Sequence, residues 1–304
     1  MSFSGQVKKE LISVVPRCRH CTSSQLYGMF LYSRSPKKSG VLLHTENKAI
    51  ADYYVSALSD LTSAIIGTTI HDYLGAHAKR SYSVTVDDDI DRKRIYRLFG
   101  FSPGQPLAVN RSRIRRDCCM QAFLRGVFLT CGSAMDPEKG YHLEFVVPNG
   151  RLRADLSAIF HELGLSIKET KRKDLDILYL KESEQIEDLL TLMGATMSSL
   201  ELMNFKIVKN VRNKVNRVTN CETANIDKTV SAASIQIECI RKIEQTIGLD
   251  SLPEELAEMA VVRLNHPDLS LRELGMELEK PLSRSGVNHR LKRLEAIANE
   301  LNLK

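Results

Sequence analysis

The sequence predicts an α+β chain: a duplicated α/β unit with pseudo-twofold symmetry, followed by an all-α domain that ends in a helix-turn-helix. Three observations carry this reading. One pattern occurs twice in residues 1–200, the stretch Leu269–Leu301 reads as two short helices about a proline-bearing turn, and basic residues collect in discrete patches. At 304 residues the chain is long enough for two domains or three, each burying its own core.

The repeat sets the architecture. Ser23–Ser35 (SSQLYGMFLYSRS) aligns with Gln121–Ser133 (QAFLRGVFLTCGS) at a fixed offset of 98, pairing Gly28 with Gly126, Phe30 with Phe128 and Leu31 with Leu129. Each copy continues with a strand-like run, Val41–Glu46 and Tyr141–Val147. A helix-like run follows in each, Lys48–Leu61 and Gly150–Leu163, with apolar residues three and four apart. Two further strands recur, Ser63–His71 with Ser81–Asp87 and Leu165–Thr170 with Leu175–Lys181, and each half closes on a short helix ending RLFGF or TLMGA. The unit is therefore α-β-α-β-β-α, with repeats at about 20–100 and 118–195. A mid-helix glycine costs about 1 kcal/mol against alanine. Gly28 and Gly126 are thus expected where the two equivalent helices cross at close range.

The C-terminal pattern is helical throughout. Pro253, Glu254 and Glu255 open a helix that runs to about Leu264. Ser270 caps a second helix with Glu273 at the capping-box position, and Leu271, Leu274 and Leu278 form its apolar stripe. After Pro281, Ser283 caps a third helix whose Val287, Leu291 and Leu294 face inward. Arg284, Ser285, Asn288, His289, Lys292 and Arg293 are left on polar faces, with no acid between Lys280 and Leu294. A helix of this composition suits a DNA major groove. Arginine can be bidentate to guanine and asparagine to adenine, so Arg284 and Asn288 are the expected base readers. Arg290, Lys292 and Arg293 are expected on phosphates, with Ser283, Ser285 and His289 completing the surface. The same residues also fit a three-helix bundle whose solvated basic face meets a protein.

A second basic segment, Met203–Thr219, sets Lys206, Lys209, Arg212, Lys214 and Arg217 against Val208, Val211, Val215 and Val218. The spacing predicts an amphipathic helix with one basic face, either a secondary DNA contact or a solvated charge run. Asn220–Asn225 (NCETAN) reads as an ordered turn, and Thr229–Ile247 as a spacer helix. Arg111–Arg116 (RSRIRR) either touches phosphates or is a connector held by surface acids. Discrete patches suit a phosphate backbone better than a membrane. With no 18-residue apolar run and no signal-peptide core, a cytoplasmic, nucleoid-associated protein is expected.

Seven cysteines argue for thiols and against a disulfide framework. Cys18 and Cys21 have CxxC spacing, but a zinc site needs a second pair. Cys118-Cys119 is the only candidate, and adjacent cysteines chelate poorly. The cysteines are therefore expected as small buried hydrophobes, with no metal and no cofactor. His20, His71, His77, His142 and His161 do not cluster with acids at ligand spacing and are expected to be structural. Phosphate-loop, nucleophile-elbow, zinc-protease and dinucleotide fingerprints are missing, so no enzyme activity is expected.

Leu124–Gly132 (LRGVFLTCG) resembles the LAGLIDADG helix of homing endonucleases, with Leu124, Gly126, Val127, Phe128 and Gly132 on its apolar and glycine positions. Leu26–Arg34 (LYGMFLYSR) keeps Leu26, Gly28, Met29 and Phe30. The resemblance implies two packed helices, each delivering a metal-binding acid at the motif's eighth position. Here those positions are Ser33 and Cys131, and neither is the hard oxygen ligand that Mg²⁺ prefers. Phosphodiester cleavage needs carboxylates to hold cations against the scissile phosphate. The nearest acid is Asp136, in a turn before Pro137.

Over nearly its whole length the chain is similar to the bacterial WhiA family of sporulation and cell-division regulators. Phe123–Phe145, Lys209–Val230, Gly248–Ala260 and Pro281–Leu294 carry the likeness. It implies a degenerate, catalytically inactive LAGLIDADG-like domain over 1–200, a basic segment and spacer helix over 201–250, and a helix-turn-helix domain over 251–304 with its motif at about 269–302. The implied function is a sequence-specific DNA-binding transcriptional regulator of cell division and, where present, sporulation. Its expected partner is double-stranded DNA at promoter regions, with RNA polymerase or another regulator as a further candidate. Two alternatives stay open: an N-terminal protein- or ligand-sensing module, and a residual Mg-dependent nuclease.

Overall fold

The computed structural model describes residues 2–34, 40–73 and 79–301. Ser35, His77 and the end of the expected C-terminal domain (302–304) lie outside them. The chain divides into two compact units, Met1–Lys209 and Asn210–Lys304.

The first unit begins with α1 (Phe3–Ile12), whose Ser2 cap accepts a hydrogen bond from the Gly5 N–H at 3.2 Å. Phe3, Val7 and Leu11, four residues apart, form its buried stripe. The first repeat follows as α2 (Cys21–Tyr32), β1 (Val41–Thr45), α3 (Lys48–Thr62), β2 (Gly67–Tyr73), β3 (Lys79–Thr85) and α4 (Asp89–Phe99). After a 3-10 turn at Arg111–Ile114 comes the second, α5 (Asp117–Cys131), β4 (Gly132–Ala134), β5 (Leu143–Val147), α6 (Gly150–Glu162), β6 (Lys168–Arg172), β7 (Leu175–Leu180) and α7 (Ser183–Met193). The α-β-α-β-β-α order is met in both, with the short β4 added to the second.

Local devices repeat as well. Asn47 and Asn149 cap α3 and α6, their Oδ1 atoms each accepting a backbone N–H at 3.0 Å, from Ala49 and Leu152. Gly100 and Gly194 end α4 and α7 at φ 65° and 97°, and the next residue's N–H reaches back 2.8 Å to the Tyr96 and Leu190 carbonyls. One expected strand starts late. Ser63 takes the left-handed conformation at the end of α3, so Ser63–Ile66 forms a connection and β2 begins at Gly67.

Two antiparallel sheets result, ordered β1-β3-β2 and β4-β5-β7-β6. Alternation turns Tyr82 and Val84 of one sheet, and Leu143, Phe145 and Val147 of the other, into a single core shared by both halves. α2 and α5 run through that core, and α2 is buried continuously from Ser24 to Tyr32. They meet backbone to backbone. A Cβ built on Gly28 would strike the Phe123 carbonyl oxygen, and one built on Gly126 would strike that of Gln25. Gln25 and Phe123 are themselves related by the offset of 98, so the contact is reciprocal. Beside it Arg125 is buried: its Nε donates to Gln25 Oε1 at 2.9 Å and its Nη1 to the Met193 carbonyl at 2.6 Å. Burial draws this guanidinium's pKa down.

α8 (Thr196–Thr246) is a single 51-residue helix. The Glu10 carboxylate accepts the Met197 and Ser198 N–H groups at 2.7 and 3.0 Å, capping its start. The turn expected at Asn220–Asn225 is corrected: these residues are helical, and the separate spacer helix is the end of the same element. A polar run without glycine or proline contains no helix breaker; its polarity marks exposure only. The first turn of α5 carries Cys118 and Cys119 to Cys18 and Cys21, with all four sulfurs within 4.8 Å of one another.

In the second unit, Ile240 and Ile243 of α8 pack with α9 (Glu254–Asn265), α10 (Leu271–Leu274) and α11 (Arg284–Glu300). α10 stops short of Leu278, which is buried from a turn instead. The chain folds back there so closely that the Leu282 carbonyl occupies the place of a Gly275 Cβ, while the Leu282 N–H donates to the Gly275 carbonyl at 2.9 Å. Arg263, 1% exposed, ties α9 to its surroundings through Gln236 Oε1 (3.0 Å) and the Leu269 carbonyl (2.8 Å).

Gly126→Ala is expected to destabilise the first unit by about 3 kcal/mol or more, because the new methyl meets backbone that cannot rotate away. Gly150→Ala, whose Cβ has its nearest neighbour at an ordinary 3.6 Å, should change stability by less than about 0.5 kcal/mol. Denaturant unfolding of the two variants checks the contrast. Arg263→Met should cost about 2–3 kcal/mol in the same measurement, since Gln236 and the Leu269 carbonyl lose their donor inside the core.

Candidate nucleic-acid interface

The geometry of α11 follows from its cap and its apolar spacing. Ser283 Oγ accepts the Gly286 N–H at 3.3 Å and lies 3.0 Å from Ser285 Oγ. Val287, Leu291 and Leu294 are buried against the core as their three- and four-residue spacing requires. Arg284, Ser285, His289, Lys292 and Arg293 are therefore exposed, and Asn288 half-buried. The element before it is held by a reciprocal cap. Glu273 N–H donates to Ser270 Oγ at 3.4 Å, and the Glu273 carboxylate accepts the Ser270 N–H at 2.9 Å. These bonds to Ser270 hold the Glu273 carboxyl below the usual carboxylate range.

Arg284 and Asn288 come together with Lys228, Gln236, Arg263 and Arg272 around a cavity of about 380 Å³. A cation-rich recess with an amide at the positive end of a helix can receive a phosphate oxygen or the edge of a base. Lys228 and Arg272 were missed by sequence reasoning; both lie in segments it singled out, but only folding brings them to Arg284. Arg290 points elsewhere. It pairs with Glu255 at 3.2 Å and Glu258 at 3.6 Å on α9, and its side chain is 16% exposed. Of the expected contact residues it is the one that fastens α11 to α9.

The basic segment of α8 divides similarly. Lys206 pairs with Glu184 (3.1 Å) and Glu187 (3.8 Å), and Lys209 lies 5.2 Å from the Tyr141 ring centre. Arg212, Lys214 and Arg217 are exposed. Val208, Val211, Val215 and Val218 are all more than half exposed, and among the described residues this apolar stripe joins neither core. In the arginine cluster, Arg111 forms a two-point pair with Glu162 at 2.8 and 3.1 Å, and Arg113 donates to the Leu98 carbonyl at 2.5 Å. These two arginines act as connectors, whereas Arg115 and Arg116 are exposed.

At the other end of α2 and α5 lie the positions of the endonuclease acids. Ser33 is the buried C-cap of α2, and Cys131 is the last residue of α5. Burial pushes the Cys131 thiol up to about 12, against the opposing pull of Lys8 and Arg34. Lys8 is itself lowered, by burial first, with Cys131 acting the other way. Ser33 and Cys131 thus offer a neutral hydroxyl and a neutral thiol, with no carboxylate at either position to hold a divalent metal. Asp136 is engaged in its own turn, where its Oδ1 accepts the Glu138 N–H at 3.0 Å. Among the described residues no helix is long and apolar enough to cross a membrane.

Comparison with known proteins matches these two units to one family. The family described as WhiA LAGLIDADG-like domain matches residues 120–212, and WhiA C-terminal HTH domain matches 215–298. The chain is 40% identical over 312 residues to the Probable cell division protein WhiA of Clostridium novyi (strain NT), covering 99% of this chain and 98% of that one. To the protein of the same name in Clostridium acetobutylicum it is 38% identical over 319 residues, with 99% and 98% covered. Among solved structures, full-length WhiA from Thermatoga maritima superposes with a TM-score of 0.60 at 25% identity, covering 99% of each chain. A pair of helices crossing at glycines, a capped helix-turn-helix and relatives matched over nearly their full length give one conclusion: the chain belongs to the WhiA family.

Proposed function

We propose that the chain is a sequence-specific DNA-binding regulator of cell division, with α11 as its reading helix and the N-terminal unit as a catalytically silent scaffold. The observation that carries this is the recess where Arg284 and Asn288 meet Lys228 and Arg272 at the start of α11. An arginine and an asparagine one turn apart can address adjacent bases. Lys292 and Arg293, exposed further along the helix, suit the flanking phosphates, as do Arg212, Lys214 and Arg217 on α8. The cell-division role extends to this chain what its relatives are named for. Promoter DNA is the partner this chemistry fits, and the nucleoid is where such a protein would reside.

A residual nuclease is the weaker reading. Cleavage needs carboxylates converging on a metal, and Ser33 and Cys131 offer none. Purified protein with Mg²⁺ should leave supercoiled plasmid intact; nicking that disappears in Asp136→Asn would reverse this assignment.

With a site identified by chromatin immunoprecipitation and sequencing, Arg284→Ala should weaken cognate binding by about 1–3 kcal/mol and relax preference at one base pair. Lys214→Ala should weaken cognate and random duplexes alike and reduce the slope of log K against log salt by about 1. Anisotropy titrations on both duplexes separate the roles. Equal affinity of the unmodified chain for promoter and random DNA would sink the proposal.

A further inference from the structure

The remaining unexplained cluster is the four thiols at the start of α2 and α5. Cys18 precedes α2, Cys21 is its first residue, and Cys118 and Cys119 follow Asp117 in the first turn of α5. Cys21 and Cys119 are related by the same offset of 98 as the crossing glycines. Each half of the pseudo-twofold unit therefore supplies two sulfurs to one point. Cys18 Sγ lies 3.5 Å from Cys21 Sγ, 3.7 Å from Cys119 Sγ and 3.7 Å from Cys118 Sγ, and all four fall within 4.8 Å. All are free thiols.

We propose that these four cysteines form a structural zinc site that clamps the two halves of the N-terminal unit together. A tetrahedral ion with Zn–S bonds of about 2.3 Å sets its sulfurs about 3.8 Å apart, the spacing found here to within a few tenths of an ångström at Cys18. An iron–sulfur cluster spreads its cysteines around several metal atoms and needs more room than one 4.8 Å sphere of sulfurs provides. Four sulfur ligands close the coordination shell and leave no position for water, so the site is structural.

The surroundings fit the product. Binding follows Zn²⁺ + 4 Cys–SH → [Zn(S–Cys)₄]²⁻ + 4 H⁺, with no change of oxidation state. The two negative charges left on the complex face the N-termini of two helices, whose dipoles favour them. Beside the cluster a cavity of about 460 Å³ is lined by Arg19, Arg113, Arg115 and Arg116, four cations within the same pocket as Cys119. Tight packing of thiols alone would explain Cys21 and Cys119, 1% and 3% exposed, but not the half-buried Cys18 and Cys118 converging on them.

The test uses the full chain, purified reduced and without chelator. Metal analysis should find one zinc per chain. After chelation, Co²⁺ should give the visible bands and thiolate charge-transfer absorption of tetrahedral sulfur-bound cobalt, displaced by added Zn²⁺. Zinc should also raise the melting temperature of the chelated protein. Cys18→Ser and Cys119→Ser should lose the metal, while Cys131→Ser, outside the cluster, should keep it. If the serine variants do not fold, the cobalt spectrum and zinc content of the unmodified chain decide alone. A chain that takes up no zinc on incubation with it overturns the proposal, as does a Cys18–Cys21 disulfide in freshly isolated protein or a cluster variant that retains full zinc.

Discussion

The reciprocal seating of Gly28 and Gly126 on the backbones of Phe123 and Gln25 is the contact around which the N-terminal unit is arranged. Two helices can approach this closely only where neither carries a Cβ at the crossing. Once that distance is set, the ends of both helices are set with it. Their starts bring four cysteines to one point, Cys18 from just before α2; their last residues are Tyr32, capped by Ser33, and Cys131. The sheets then cover the flanks, and a single apolar core runs through both halves.

Ser33 and Cys131 stand at the ends of that helix pair, away from the glycine crossing. Neither position carries a carboxylate, and burial keeps the Cys131 thiol neutral. In the other unit, cations and an amide gather at the start of α11. Fold and chemistry separate cleanly here, because the scaffold depends on glycines and apolar residues while cleavage would depend on two carboxylates.

Each unit also buries one arginine in the same manner. Arg125 bonds to Gln25 and the Met193 carbonyl, and Arg263 to Gln236 and the Leu269 carbonyl. In both, a guanidinium bridges a glutamine amide on one helix and a backbone carbonyl elsewhere. The planar fork satisfies both acceptors at once and tolerates little displacement of either. Burial lowers the pKa of each, but arginine starts so high that the charge persists. Such a charge, held by neutral acceptors, fixes the register between elements more than it adds affinity between them.

The repeat, the crossing glycines, the apolar stripe of α11, the capping box and the missing acids were legible in the sequence. Each rests on residue spacing or side-chain chemistry within a few turns of chain. Other features were decided only by the tertiary structure. Asn220–Asn225 reads as a turn by composition, yet nothing in it breaks the helix that runs through it. Val208 to Val218 lie at helical spacing, but whether such a stripe is buried depends on a partner surface that no periodicity supplies, and these valines stay exposed. Arg290 reads as one more phosphate contact until α9 delivers Glu255 and Glu258 to it. Adjacent Cys118 and Cys119 look unsuited to a common ion until the crossing of α2 and α5 brings them to Cys18 and Cys21, a hundred residues away. Local physics determines which helices and strands form; which charges meet and which sulfurs converge depends on distances that close only when the elements pack.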